Sequence, residues 1–191
     1  MAGQRKYVQN KRAEAKARTR EKIVQAAMYL HRTIGPRGTT ISAIAERAGV
    51  QRLTVYRHFP DESAIFQACT SRWTDDHPMP DPAAWQDIDP GPPRIRAALA
   101  KLYAYYDRSE QMLAAAARDE PDVPAIQEPM TRGRAAIADM VDGLLEGWQP
   151  RPGDAETLHH AAKFRTWQSL NEDGLDDAAK IGLVVDKWLA E

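Results

Sequence analysis

The tightest constraint on this chain lies between Thr39 and Pro60, where ISAIAERAGVQRLTVYRHFP (residues 41–60) leaves little choice of local fold. Thr39 or Thr40 is a natural N-cap for a helix whose Ile41, Ile44, Ala45 and Ala48 share one face. Gly49 ends that helix, and a second short one runs from about Gln51 to Phe59. Helix, short glycine turn, helix is the helix-turn-helix spacing. Ala45 is small where the two helices cross closely, and Gly49 supplies the positive φ that reverses the chain. Ile44, Val50 and Val55 point inward and clamp the pair at a fixed angle. Arg52, Thr54, Tyr56 and Arg57 are left on the outward side, where base edges in a major groove can be read.

Helical patterning continues on both sides of this window. Residues 1–18 are polar and basic (Arg5, Lys6, Lys11, Arg12, Lys16, Arg18), which predicts a flexible arm merging into a helix. Such an arm either enters a minor groove or serves as a solubilising tail. Ile23, Ala27, Leu30 and Ile34 then recur on one apolar face until Gly35-Pro36 stops the helix. Pro60-Asp61 opens a fourth helix carrying Ile65, Phe66 and Cys69 to about Thr74. From Asp75 to Pro93 the chain holds six of its 13 prolines and reads as a long connecting loop. Beyond it, Ile95, Leu99, Leu102 and Tyr106 form one helical stripe, and Ile137, Met140, Val141, Leu144, Leu145 and Trp148 another. Helices from about Asp154 to Leu170 and Asp176 to Ala190 complete the chain. No segment shows strand alternation. The expected fold is all-α: a basic arm (1–18), a helix-turn-helix domain (19–72), a Pro-rich loop (73–93) and a second helical domain (94–191).

A net charge of −1 hides a strong asymmetry. Up to Arg72 there are 14 Lys and Arg against five acids, a surplus of +9, and the remainder carries 12 against 22, a balance of −10. A basic head on an acidic body suits a polyanion partner. The 191 residues can bury most of their apolar surface without metal or disulfide support. The single Cys69 forms no internal disulfide and, with no secretory leader, fits a reducing cytoplasm; it reads as packed and inert. No apolar run approaches the roughly 20 residues of a membrane helix.

TTISAIAERAGVQRLTVYRHFPDE (residues 39–62) resembles the DNA-binding signature of the TetR family of transcriptional regulators, matching at Thr40, Ile44, Ala45, Ala48, Gly49, Val50, Thr54, Tyr56, His58, Phe59 and Pro60. The likeness covers about 50 residues, roughly Glu21 to Cys69. It implies that Thr40 and Ser42 contact a phosphate or base edge, that Gln51, Arg52, Thr54 and Tyr56 face the major groove, and that His58 holds a phosphate. Arg57 is either a further contact or a solvated charge, and Tyr56 has a rival reading as a packing residue. One position departs from the pattern: Glu62 stands where the family usually carries a lysine that meets the DNA backbone.

In the body, His160, Phe164, Trp167 and Asn171 line one side of the helix from Asp154, an arrangement that suits a ligand pocket and a packed core equally well. The resemblance implies a small-molecule effector in this region, with Tyr103, Tyr106, Arg118 and Trp148 as further lining candidates. It also implies a homodimer paired through the last two helices, with Ile181, Val184, Val185, Trp188 and Leu189 as contacts; the other reading is that this stripe packs inside its own subunit. His159-His160 are adjacent on a helix and diverge by about 100°, which disfavours a shared metal ion. Cofactor and metal are expected to be absent, and no catalytic constellation is visible: there is no nucleophile elbow and no histidine near Cys69 in sequence. The expected function is a repressor released from operator DNA by an effector. The alternative is a DNA-binding protein with no effector response.

Overall fold

The periodicity read from the sequence is realised in the computed structural model, which describes the backbone of residues 2–189 and the side chains of Tyr7 and residues 9–189. Helices α1 (Ala2–Thr33), α2 (Ile41–Ala48), α3 (Arg52–His58), α4 (Glu62–Asp76), α5 (Pro92–Asp119), α6 (Pro124–Leu145), α7 (Asp154–Ala161), α8 (Phe164–Glu172) and α9 (Asp177–Gly182) follow in order. A π-helical run, Leu183–Trp188, continues α9, and no strand occurs among the described residues. None of the described helices is long and apolar enough to cross a membrane. The chain divides into two units, Met1–Asp76 with Ala115–Gln127, and His77–Ala114 with Glu128–Glu191.

The first unit is built around Ile23, Val24 and Ala27 of α1, Ile44 and Ala45 of α2, Val55 of α3 and Ile65 and Cys69 of α4, all buried, with Phe59 after α3. His31 is buried with them, its ring stacked on Phe66 with centroids 4.5 Å apart. At the turn after α1, the Asp119 carboxylate accepts the backbone N–H of Arg37 (3.0 Å) and the Arg118 Nε–H (2.7 Å). Arg118 also donates to the Ile34 carbonyl, and this guanidinium holds the Asp119 carboxyl below the usual carboxylate range. A Cβ on Gly35, whose φ is +90°, would collide with both side chains.

The flexible arm is corrected to helix. Ala13, Glu14, Ala15, Lys16, Ala17 and Arg18 are all strong helix formers, and a shortage of apolar residues limits burial without lowering propensity. An exposed Glu14–Arg18 pair one turn apart adds slightly to this. Arg5 and Lys6 lie outside the described side chains. Ile34, expected on the buried face, follows the end of α1 and is exposed.

The second unit is a helical core of Ile95, Leu99, Leu102, Tyr103, Tyr106, Val141, Leu144, Leu158 and Trp167. The Pro-rich segment is part of it: Trp85 is buried, Asp81 caps a 3-10 turn at Pro82–Ala84, and Arg94 donates to the Ile88 carbonyl at 2.7 Å. The helix expected from Asp154 to Leu170 breaks at Ala162-Lys163. Tyr103 Oη donates to the Ala161 carbonyl (3.1 Å) and Tyr106 Oη to the Ala162 carbonyl (2.6 Å), so side chains of α5 satisfy acceptors at the break. The helix expected from Asp176 is α9 plus the π-helical run; Asp176 caps it by accepting from the Ala179 N–H, and Ala190 lies outside the described residues. Ile181, Val184, Val185 and Leu189 pack into this core. Of the stripe expected as a dimer contact, these four are thus buried within the chain itself, and Trp188 is exposed. Lys180 is buried as well, its ammonium donating to Asn171 Oδ1 and Asp177 Oδ1 at 2.9 Å each, beside the Trp167 ring.

Burial lowers the pKa of His31 from 6.5 to about 4. The unfolded chain therefore takes up a proton between those values that the folded chain refuses, so stability is complete above pH 6.5 and declines as pH falls to about 4. The decline attributable to this residue is about 3 kcal/mol, at 1.36 kcal/mol per pKa unit. Urea unfolding from pH 7.5 to 4 should show it, and His31→Phe, which keeps the stack on Phe66, should flatten the curve.

Candidate nucleic-acid interface

Three local devices set the direction of α3. Thr40 caps α2, its Oγ1 accepting from the Ala43 N–H at 3.2 Å. Gly49 then turns the chain with φ 66°, while its own N–H bonds the Glu46 carbonyl and that of Val50 the Ala45 carbonyl. Finally Val55 at the middle of α3 and Phe59 just past its end are buried, which orients the rest of this short helix.

What faces outward follows from that anchoring. Gln51, Arg52, Tyr56 and Arg57 are exposed, and Thr54 and His58 are half-buried. Gln51 is the N-cap residue of α3 by backbone alone, its side chain taking no part in the cap. Arg57 donates to Thr54 Oγ1 at 3.2 Å, which fixes one side of the helix. On α2, Ser42 is exposed near the capping Thr40. Every residue expected at the interface thus lies on the α2 N-terminus or on α3 and its cap. Sequence reasoning missed Leu53, 65% exposed between Arg52 and Thr54. An apolar side chain at an outward position of this helix can meet a thymine methyl group. Its only signal was an apolar residue out of phase with Val55 and Phe59.

The electrostatics around α3 are cationic. His58 has its pKa lowered from 6.5, first by desolvation and then by the charges of Lys16, Arg20 and Arg57. Neutral imidazole keeps one N–H that can donate to a phosphate oxygen. Arg20 of α1 lies over the Phe59 ring, its guanidinium carbon 4.9 Å from the centroid. Arg47 at the end of α2 sits 3.1 Å above Tyr29 of α1. Glu62 is exposed in the first turn of α4, whose cap is Asp61, accepting from the Ala64 N–H at 2.8 Å. An acid there favours the helix dipole.

The lining residues expected for an effector are dispersed. Tyr103, Tyr106 and Trp167 are fully buried, with their hydroxyls on the α7–α8 carbonyls and the Trp167 indole N–H on Asp177 Oδ1 at 3.0 Å. Phe164 completes an aromatic cluster with them, 5.4 Å from Tyr106 and 5.8 Å from Trp167 between centroids. Trp148 packs beside Gly91. His160 is exposed in an open groove of about 490 Å³ shared with Glu156, Thr157 and Trp188. Arg118 belongs to the first unit, on Asp119 and the Ile34 carbonyl.

Residues 23–69 match the family described as bacterial regulatory proteins, tetR family. Over 145 residues, 72% of its length, the chain is 26% identical to the HTH-type transcriptional regulator RutR of Escherichia coli K12, and the alignment spans 65% of that regulator, just under two thirds. A tetR-family transcriptional regulator from Streptomyces coelicolor has a similar structure, with TM-score 0.63 at 20% identity over 88% of this chain and 78% of that one. The fatty acid degradation regulator FadR from Bacillus halodurans superposes with TM-score 0.53 at 16% identity, covering 90% and 94% of the two chains. These two likenesses are of fold.

Beyond its chain neighbours nothing lies within 4 Å of a Cβ built on Gly49, so the cost of a side chain there is backbone strain. Gly49→Ala should cost about 1–2 kcal/mol in urea unfolding, the usual penalty of the left-handed region. Gly49→Asn should recover part of it, since asparagine tolerates that region better.

Proposed function

We propose that this chain, whose residues 23–69 match the tetR family of bacterial regulatory proteins, is a transcriptional repressor that reads its operator through α3 and leaves it when a small effector binds the second unit. The observation that carries the reading is the split of α3 into an anchored side, Val55 with Phe59, and an exposed side of Gln51, Arg52, Leu53, Tyr56 and Arg57. Arg52 is the base-reading residue, its planar fork matched to guanine O6 and N7. Thr40, Ser42, Thr54 and His58 hold phosphate or flanking base edges.

A seven-residue α3 can reach only a few base pairs, so a pair of subunits on two half-sites supplies the length and affinity of an operator. The protein acts as a homodimer on a near-palindrome. With the terminal stripe buried internally, exposed Trp188 and the groove it shares with Glu156, Thr157 and His160 are the surface available to that contact. The effector enters at the Tyr106–Phe164–Trp167 cluster, where it displaces packed aromatic side chains rather than filling a standing cavity.

Selection of binding sites from random duplex DNA, with and without a metabolite panel, tests this. The expected result is a near-palindromic site whose occupancy one metabolite class abolishes; a site unaffected by every metabolite returns the protein to the effector-independent class. On the selected site, Arg52→Ala should cost about 1–3 kcal/mol and relax one position per half-site. Equal weakening on all sequences would make Arg52 a phosphate contact instead.

A further inference from the structure

Helix α1 begins at Ala2, whereas the family match starts only at residue 23. From Ile23 to His31 one side of α1 is buried in the first unit's core. At 100° per residue, the same side of the preceding turns carries Arg12, Lys16 and Arg20, one helical turn apart. All three are exposed, and on this stretch of helix no protein core covers the face that is apolar further along. The two acids of this stretch point elsewhere: Glu14 pairs with Arg18, and Glu21 accepts from Gln25 and lies 3.8 Å from Arg72 of α4.

The basic row is continuous with the end of α3. Arg20 stands over Phe59, the residue that follows His58, and Lys16 and Arg20 are close enough to His58 for their charges to depress its protonation. Three cations in a line, joined at one end to Arg57 and His58, match a line of phosphates rather than a point ligand. Rigidity matters here: a helix presents these charges at fixed spacing, so less side-chain and backbone freedom is lost on binding than with a disordered tail.

We infer that the Arg12–Lys16–Arg20 face of α1 is a second DNA-backbone contact, extending the α3 footprint along one strand of the duplex. The inference rests on the DNA-binding reading above and adds to it a phosphate rail outside the family domain. Arg12 to Arg20 covers about 12 Å at 1.5 Å per residue. That corresponds to about three base-pair steps at 3.4 Å each, read without regard to sequence.

The test is the double variant R12Q/K16Q in the full chain, compared with wild type on the selected operator and on random duplex of equal length. Both residues are exposed and outside the core, and glutamine keeps helix propensity, so thermal unfolding should be unchanged. The slope of log affinity against log salt should shrink by about 1.8, at 0.9 per phosphate contact. The affinity lost between 50 and 200 mM salt should then be about tenfold smaller than for wild type. Affinity at low salt should drop by the same factor on both duplexes, and the protected footprint should shorten at its ends. Wild type that binds the operator with a slope the double variant leaves unchanged overturns this inference alone. Wild type that binds no duplex overturns the DNA-binding reading and this inference with it.

Discussion

Seven residues make two turns of helix, far too short to persist alone in water, so α3 exists only because its neighbours hold it. Val55 and Phe59 are that hold. Their burial against α1, α2 and α4 supplies the stability that the isolated segment lacks, and it also decides which residues remain outside. Orientation and stability are therefore one interaction. The turn at Gly49 sets the angle of approach, but without the two apolar anchors it would deliver a disordered strand of polar residues.

The second unit is organised by a different economy, in which side chains of α5 complete the backbone of another helix pair. Tyr103 and Tyr106 are buried with their rings in the aromatic cluster and their hydroxyls on the carbonyls at the α7–α8 break. An unsatisfied buried carbonyl costs about 1–3 kcal/mol, so these hydroxyls make the break tolerable as well as filling space. The Trp167–Asp177–Lys180–Asn171 network nearby follows the same rule: the indole N–H and the buried ammonium both donate to Asp177, and the ammonium donates to Asn171 as well. Such a network is costly to disturb by removing one member.

Much of the first unit was legible because residue type dictated backbone geometry there. Thr40 and Gly49 announce a cap and a turn whatever surrounds them, and the inward positions of Ile44 and Val55 follow from the spacing of the two helices. The break at Ala162 was not legible, since the groups that stabilise it stand 58 and 56 residues away and no glycine or proline marks the spot. Nor did hydrophobic periodicity reveal the helix over residues 9–18, whose side chains are all exposed. Periodicity also cannot separate a pocket lining from a core, and so Trp167 and the Val184 stripe each carry two readings in the sequence. Leu53 escaped for the opposite reason: apolar residues are expected to point inward, and this one does not.

Cys69, finally, is the chain's single cysteine, and it is buried in the first unit with its thiol directed at the Val24 carbonyl. Burial pushes its pKa up to about 12, so almost no thiolate exists at neutral pH. Alkylating and disulfide-forming reagents act on thiolate, which leaves the folded protein chemically silent to them. A cysteine introduced at an exposed position would therefore be the only one to react, and a fluorophore or spin label placed there would report that position with no background from the native sequence.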